Sequence, residues 1–359
     1  METIRYNRQL ILPEVGESGQ EKLQQAKVLI IGLGGLGTAV LPYLAAAGIG
    51  EIGLIDEDVI EVSNLQRQVI YKTEAVGNSK VQEAKKMALE LNPSLKINAI
   101  IERLNSKNAL SLIEHYDIIV DGTDNLSTKY LINDACCVTN KPFVYGSVYK
   151  FEGQVSVFNY QDGPTYCCIF PQENAAVPNC NEAGVMGISV GIIGMFQANE
   201  VLKMVLGIGE VLSGKLLVYN MLNSEQQKFE FSKKQTVKTD KTTFDHKYNG
   251  TTTRNFEIPT SVAMEQINHS EVVFLDVRNK EESPKLVQSN CIQIPLSQLE
   301  KQLHQLDSKS KIIIFCQSGV RSKLAVELLR KNQFISAFSV IGGMNAMSKF
   351  ENNETVFVS

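Results

Sequence analysis

Residues 28–50 carry no charge over 23 positions, a length that would span a bilayer. The stretch nevertheless holds six glycines and Pro42. It opens on the apolar run VLII, passes through GLGGLG at 32–37, and continues as an apolar stretch of helical length. A buried parallel strand, a glycine turn and a buried helix account for this change of period, whereas a membrane span does not. Gly32 permits the turn, Gly34 lets backbone approach a phosphate, and Gly37 lets helix pack on strand. The chain is therefore committed to an α/β fold whose first turn suits an anion.

The rest of the first part keeps the alternation. Strands are expected over 28–32, 51–56, 96–101 and 116–121, with helices over 35–47, 79–91 and 127–137. Further strands are expected over 143–147, 153–160 and 215–220, with a long apolar helix at 187–206. This predicts a Rossmann-like doubly wound sheet. Residues 232–255 are threonine- and lysine-rich and poor in aliphatics, which reads as a linker. Beyond it, strands at 272–277 and 311–316 and a helix at 321–332 predict a second, smaller α/β domain. The expected division is 1–231, a linker at 232–255, and 256–359.

A formal charge of −4 argues against a nucleic-acid partner. The seven cysteines are an odd number without a stapling framework, so reduced thiols in a cytoplasmic setting are expected. Arg5, Arg8 and Pro13 interrupt the start before a signal-peptide core can build. No membrane association is expected.

Asp56 ends the second strand, where a carboxylate can bond a ribose hydroxyl. That pairing with GLGGLG suits an NAD(P)-dependent oxidoreductase. The following segment, DEDVIEVSNLQRQ, turns the reading, because it adds Asn64, Gln66 and Arg67, and GNSK adds Lys80. A triphosphate needs several cations and a metal. Arg67, Lys80 and Arg8 supply the cations, and Asp124 in GTDN supplies an oxygen ligand for Mg²⁺.

RYNRQ, GLGGLG, DEDVIEVSNLQRQ, GNSK and GTDN occur in that order over 1–231. The chain there resembles the adenylyltransferase family of MoeB, ThiF and the ubiquitin-activating enzymes. The resemblance implies that ATP and Mg²⁺ are used to activate the C-terminal glycine of a small ubiquitin-like sulfur-carrier protein ending in Gly-Gly. It places Gly35 and Asp56 at the nucleoside. It places Ser63, Asn64, Leu65, Gln66, Arg67, Lys80, Asp124 and Asn125 at the ribose, phosphates and metal. It also implies a homodimer in which Arg8 reaches the neighbouring subunit's site.

The family's structural zinc is not expected here. Its first C-x-x-C would need a cysteine where Thr165 stands, three residues before Cys168, and the second C-x-x-C is missing. Four tetrahedral ligands cannot be assembled. Cys180, in NCNEAGVMG, matches a loop whose cysteine is a nucleophile in several relatives; it is equally readable as a plain loop residue.

CQSGVRS (316–322) lies between a strand and a helix. A thiol at a helix N-terminus, ringed by N–H groups and close to Arg321, suits a nucleophile that also holds an anion. Six residues from Cys316 to Arg321 make a loop one shorter than a phosphatase C-x5-R. With FLDVR (274–278) and Gly342–Gly343, this segment resembles a rhodanese. Asp276 and Arg278 are expected as a buried pair bracing the loop. Two departures stand: LVQSNC replaces the usual G-H-I, and Met347 replaces a tryptophan. The resemblance implies a persulfide on Cys316, loaded by a donor such as a cysteine desulfurase and passed to the activated carrier. The product would be a thiocarboxylate for molybdopterin, thiamin or tRNA thiolation. The competing reading from another class is a redox-sensing scaffold that binds a partner without turnover.

Overall fold

A computed structural model describes residues 2–171, 184–234, 239–248, 256–269, 271–349 and 356–358. The chain divides into two compact units, Met1–Asp245 and His246–Ser359.

The first unit is built on eight strands, β1 (Lys27–Ile31), β2 (Glu51–Ile55), β3 (Lys96–Ile100), β4 (Ile118–Asp121), β5 (Phe143–Tyr149), β6 (Glu152–Phe158), β7 (Lys215–Asn220) and β8 (Glu225–Glu230). Their order in the sheet is β3-β2-β1-β4-β5-β6-β7-β8. The first five run parallel, and β5 to β8 pair antiparallel. Four helices matter to the site: α1 (Gly35–Ala47), α2 (Lys80–Leu91), α3 (Leu126–Thr139) and α4 (Gly187–Leu206). Because β1 and β4 lie side by side while their successors extend to opposite edges, the loops leaving their carboxyl ends part and open a crevice.

The uncharged stretch becomes β1, the glycine turn and α1, as its pattern requires. Val28, Leu29 and Ile30 are fully buried, and α1 buries Val40, Leu41 and Leu44. Gly32 holds φ +89°, and a Cβ on Gly37 would collide with the Gly32 carbonyl. The helix α4 is long and apolar enough to cross a membrane by length and composition. Here its buried face carries Gln197 and Glu200. Gln197 Nε2 donates to the Asp121 carbonyl at 2.8 Å, and Glu200 Oε2 accepts from the Leu212 N–H at 2.9 Å. Such polar anchoring marks it as a core helix packed on its own sheet.

β8 and a helix within the expected linker are among the elements that the sequence pattern does not mark. β8 (EQQKFE) is exposed at every position, so it has no apolar alternation to betray it; charge on an edge strand protects it from pairing with other chains. Within the segment expected as linker, α5 (Lys241–Tyr248) forms with Phe244 fully buried. Asp240 opens it, its Oδ1 accepting from the Thr243 N–H at 2.8 Å. One aromatic anchor and an Asp cap suffice to order a helix in an otherwise polar run.

The second unit contains β9 (Glu257–Ile258), β10 (Val272–Asp276), β11 (Lys285–Val287), β12 (Cys291–Gln293), β13 (Lys311–Phe315), β14 (Ala337–Val340) and β15 (Val356–Val358). Five of them make a parallel sheet in the order β12-β10-β13-β14-β9, while β11 and β15 pair antiparallel. α6 (Val320–Lys331) follows β13. Met347, which takes the place of an expected tryptophan, is fully buried in this unit's core.

The close approach at Gly37 is testable. Gly37→Ala should destabilise the first unit by about 1–3 kcal/mol, since the added carbon meets backbone that cannot rotate away. Gly191→Ala on α4, where a Cβ meets nothing within 4 Å, should not lower stability. Thermal unfolding of the two variants checks the contrast; equal melting temperatures would refute the collision.

Candidate functional site

The carboxyl ends of β1, β2 and β4 surround a cavity of about 650 Å³. Gly35, Asp56, Asn64, Gln66, Arg67, Lys80, Asp124 and Asn125 all line it. Sequence-distant segments converge because the strand order reverses between β1 and β4. α1 begins at Gly35, so the open N–H groups of its first turn sit at the cavity wall and favour an anion there.

Asp56 closes β2 with both oxygens engaged. Oδ2 accepts from the Leu33 N–H at 2.6 Å and Oδ1 from the Asp58 N–H at 2.8 Å. Burial pushes its carboxyl above the usual range, and those two N–H groups oppose the rise. Lys80 begins α2 and is 6% exposed; its Nζ lies 2.8 Å from Asp58 Oδ2. Arg67 Nη1 donates to the Ser63 carbonyl at 3.0 Å.

Asn125 caps α3, its Oδ1 accepting from the N–H groups of Ser127 and Thr128 at 2.9 and 3.3 Å. That carbonyl oxygen is committed to the helix. The Asp124 carboxylate, by contrast, is exposed in the cavity and has no hydrogen-bond or ion-pair partner among the described residues. A free carboxylate beside the anion-binding turn fits the ligand expected for Mg²⁺.

Three expected residues stand apart. Ser63 and Leu65 shape the turn rather than line the cavity: Ser63 receives Arg67, and Leu65 packs half-buried on the core. Arg8 is exposed on the short helix Asn7–Leu10 and lies outside the cavity wall. Cys180 falls outside the described residues. Asp58, Arg103 and Gln68 line the cavity without having been singled out. The alternating carboxylates of DEDVIE were the available signal for Asp58; nothing local marked Arg103.

The zinc of the resemblance does not fit the residues present. Thr165 Oγ1 and Cys168 Sγ lie 3.4 Å apart in a hydrogen bond, where two thiolate ligands would be needed. Burial raises the Cys168 thiol, but the Thr165 hydroxyl and the backbone N–H of Lys234 outweigh it and hold it below the usual 9.0. No group of three or more His, Cys, Asp or Glu among the described residues could hold a metal.

In the second unit Cys316 ends β13 and is 1% exposed. The Gly319 N–H donates to its Sγ at 3.1 Å, at the start of α6. The Cys316 carbonyl accepts from the Met344 N–H at 2.7 Å. A Cβ on Gly343 would strike that carbonyl, so the double glycine lets two loops meet under the thiol. Arg278 is fully buried. Its Nη2 lies 2.8 Å from Asp276 Oδ2, and its Nη1 donates to Gln317 Oε1 at 3.1 Å, bracing the loop as expected.

Arg321 stands within electrostatic reach of Cys316 and has a second partner that the local motif does not show. It is clamped by Glu282, Nη1 to Oε1 and Nη2 to Oε2 both at 2.6 Å. The guanidinium opposite draws the Glu282 carboxyl from the usual 4.5 to about 2, against a smaller upward push from burial. Arg321 therefore stiffens the loop through a fork with Glu282.

The chain matches the ThiF family over residues 6–240 and the rhodanese-like domain over 260–349. It is 39% identical over 369 residues to a probable molybdopterin-synthase adenylyltransferase of Porphyra purpurea, covering 99% of this chain and 96% of that protein. A sulfur carrier protein adenylyltransferase of Thermus thermophilus is 48% identical over 231 residues, covering 62% and 85%. The adenylyltransferase and sulfurtransferase MOCS3 of Arabidopsis thaliana is 34% identical over 386 residues, covering 95% and 82%.

The Glu282–Arg321 fork sets a pH dependence. The folded carboxyl titrates below its unfolded value, so its stabilisation is complete above about 4.5 and is lost as pH falls towards 2. Urea midpoints of the second unit should fall over that window, and Glu282→Gln should flatten the fall. Parallel curves for parent and variant would show that the fork contributes nothing.

Proposed function

Because the chain belongs to the ThiF family and continues into a rhodanese-like domain, we propose that it adenylates the C-terminal glycine of a ubiquitin-like sulfur-carrier protein and then converts it to a thiocarboxylate. The carrying observation is the convergence of Asp56, Arg67, Lys80 and Asp124 on one cavity at the strand-order reversal.

ATP enters with its triphosphate against the N-terminus of α1. Asp56 accepts a ribose hydroxyl. Lys80 is paired with Asp58, whose carboxylate is largely exposed, so an incoming phosphate competes for the ammonium at low cost. Asp124 would hold the Mg²⁺ that accompanies the nucleotide, and the ion would neutralise charge on the triphosphate. The carrier's carboxylate oxygen attacks the α-phosphorus, the bond to the β-phosphate oxygen breaks, and pyrophosphate leaves. Little covalent work falls to the protein, so alignment and charge compensation dominate.

A persulfide on Cys316, loaded by a donor such as a cysteine desulfurase, attacks the acyl-adenylate with its terminal sulfur and displaces AMP. The acyl disulfide so formed is opened by a thiol, for which Cys180 is the candidate. Its sulfur takes the Cys316 sulfur, the thiocarboxylate departs with the electron pair, and an external thiol reductant resolves the disulfide left behind. Gly319 and the start of α6 steady the negative sulfur between these steps. Arg8, exposed and away from its own chain's cavity, serves the neighbouring subunit of a homodimer. Molybdopterin, thiamin and tRNA thiolation all consume such a product.

With a Gly-Gly-ending carrier present, Asp124→Ala should cut ATP–pyrophosphate exchange by roughly 100-fold or more, while sulfur transfer from thiosulfate to cyanide continues. Unchanged exchange would remove Asp124 from the metal. Cys316→Ala should do the reverse, keeping exchange and losing thiocarboxylate formation. Mixing Arg8→Ala with Asp124→Ala chains should restore part of the exchange, because one hybrid site is intact. A mixture no more active than its components would exclude the shared site.

A further inference from the structure

Under the cavity lies a buried charge pair that none of these steps uses. Asp121, the last residue of β4, is fully buried, and Lys129, in the first turn of α3, is 5% exposed. Lys129 Nζ donates to Asp121 Oδ2 at 2.6 Å and to the Gly146 carbonyl of β5 at 2.9 Å. Asp121 Oδ1 accepts from the backbone N–H of Thr123 at 3.1 Å and from its hydroxyl at 2.7 Å. The Asp121 carbonyl accepts from Gln197 on α4.

A buried ion pair is an uneconomical source of stability, because desolvation consumes most of the attraction, and apolar replacements are often as stable. What this pair does have is geometry. One carboxylate oxygen is pinned by Lys129. The other grips the loop residue immediately before Asp124, and the helix that supplies Lys129 begins one residue after Asn125. The loop is thereby tied to the protein interior at both ends and in its middle.

We propose that Lys129 is a positioning residue for the nucleotide site: through Asp121 it sets the 122–125 loop so that the Asp124 carboxylate is presented to the metal-bound phosphates. The proposal rests on the adenylation reading. Lys129 itself stays buried and touches no substrate.

The test uses the full-length chain and calorimetric titration with ATP, once with Mg²⁺ and once with a chelator. Lys129→Met combined with Asp121→Asn removes both charges and strands neither, and the new amide oxygen can still accept from Thr123. A melting curve establishes that the variant folds. MgATP binding should weaken about tenfold, and binding of metal-free ATP should change little. Asp124→Ala should weaken MgATP binding about tenfold in the parent but add less than about threefold in the double variant, because the two changes act through one carboxylate. Thr123→Val, which removes the shorter, hydroxyl half of the loop's tie while leaving the backbone bond and the ion pair in place, should give a selective, non-additive loss of the same kind if the double variant fails to fold.

A folded variant that binds MgATP as the parent does, or an Asp124→Ala effect of equal size on both backgrounds, would overturn the positioning role. A parent chain that binds no MgATP at all would instead overturn the adenylation reading beneath it.

Discussion

The reversal of strand order beside β1 is the constraint on which the first unit depends. β1 pairs with β2 on one side and β4 on the other, and the segments that follow those strands leave in opposite directions. The carboxyl ends of β1 and β4 thereby face a crevice, and the start of α1 lies in its wall. The side chains that line the cavity come from turns after β1, β2, β3 and β4, from β5, and from the starts of α2 and α4. Their chemistry is ordinary; their convergence is the product of topology.

Both units hold their cations in check. Lys80 rests against Asp58 and Arg321 against Glu282, while Arg278 and Lys129 are buried against Asp276 and Asp121. The two pairs whose carboxylate is at least partly exposed sit at a cavity wall and beside the Cys316 loop. The two sealed pairs lie beneath those same sites. Exposure of the carboxylate partner thus separates pairs that can exchange with a ligand from pairs that fix a backbone, since water solvates the released carboxylate in the former and desolvation punishes any break in the latter.

Much of the fold was legible because apolar period and glycine placement are local properties. GLGGLG after a buried strand announced the turn, and the bounds of α1 and α4 follow directly from their patterns. β8 was not legible, since an edge strand with six exposed residues carries no burial signal. α5 was hidden because it buries one aromatic in an otherwise polar run. In the site, motif order located Asp56, Arg67, Lys80 and Asp124. The roles of Ser63, Leu65 and Asn125 as builders of turn and cap depend on which backbone groups they meet, and that is invisible in a string of letters.

By itself the sequence determined the class of fold, the nucleotide-type turn and the presence of a second domain with a cysteine between a strand and a helix. Each of these follows from residues within a few positions of one another, where covalent geometry and periodicity decide. Tertiary structure alone decided that Arg321 is held by Glu282, 39 residues away, and that Lys129 reaches under the loop bearing Asp124 to the Gly146 carbonyl of β5. Those outcomes turn on distances across the fold and on which groups lose their water, and neither quantity exists until the chain has packed.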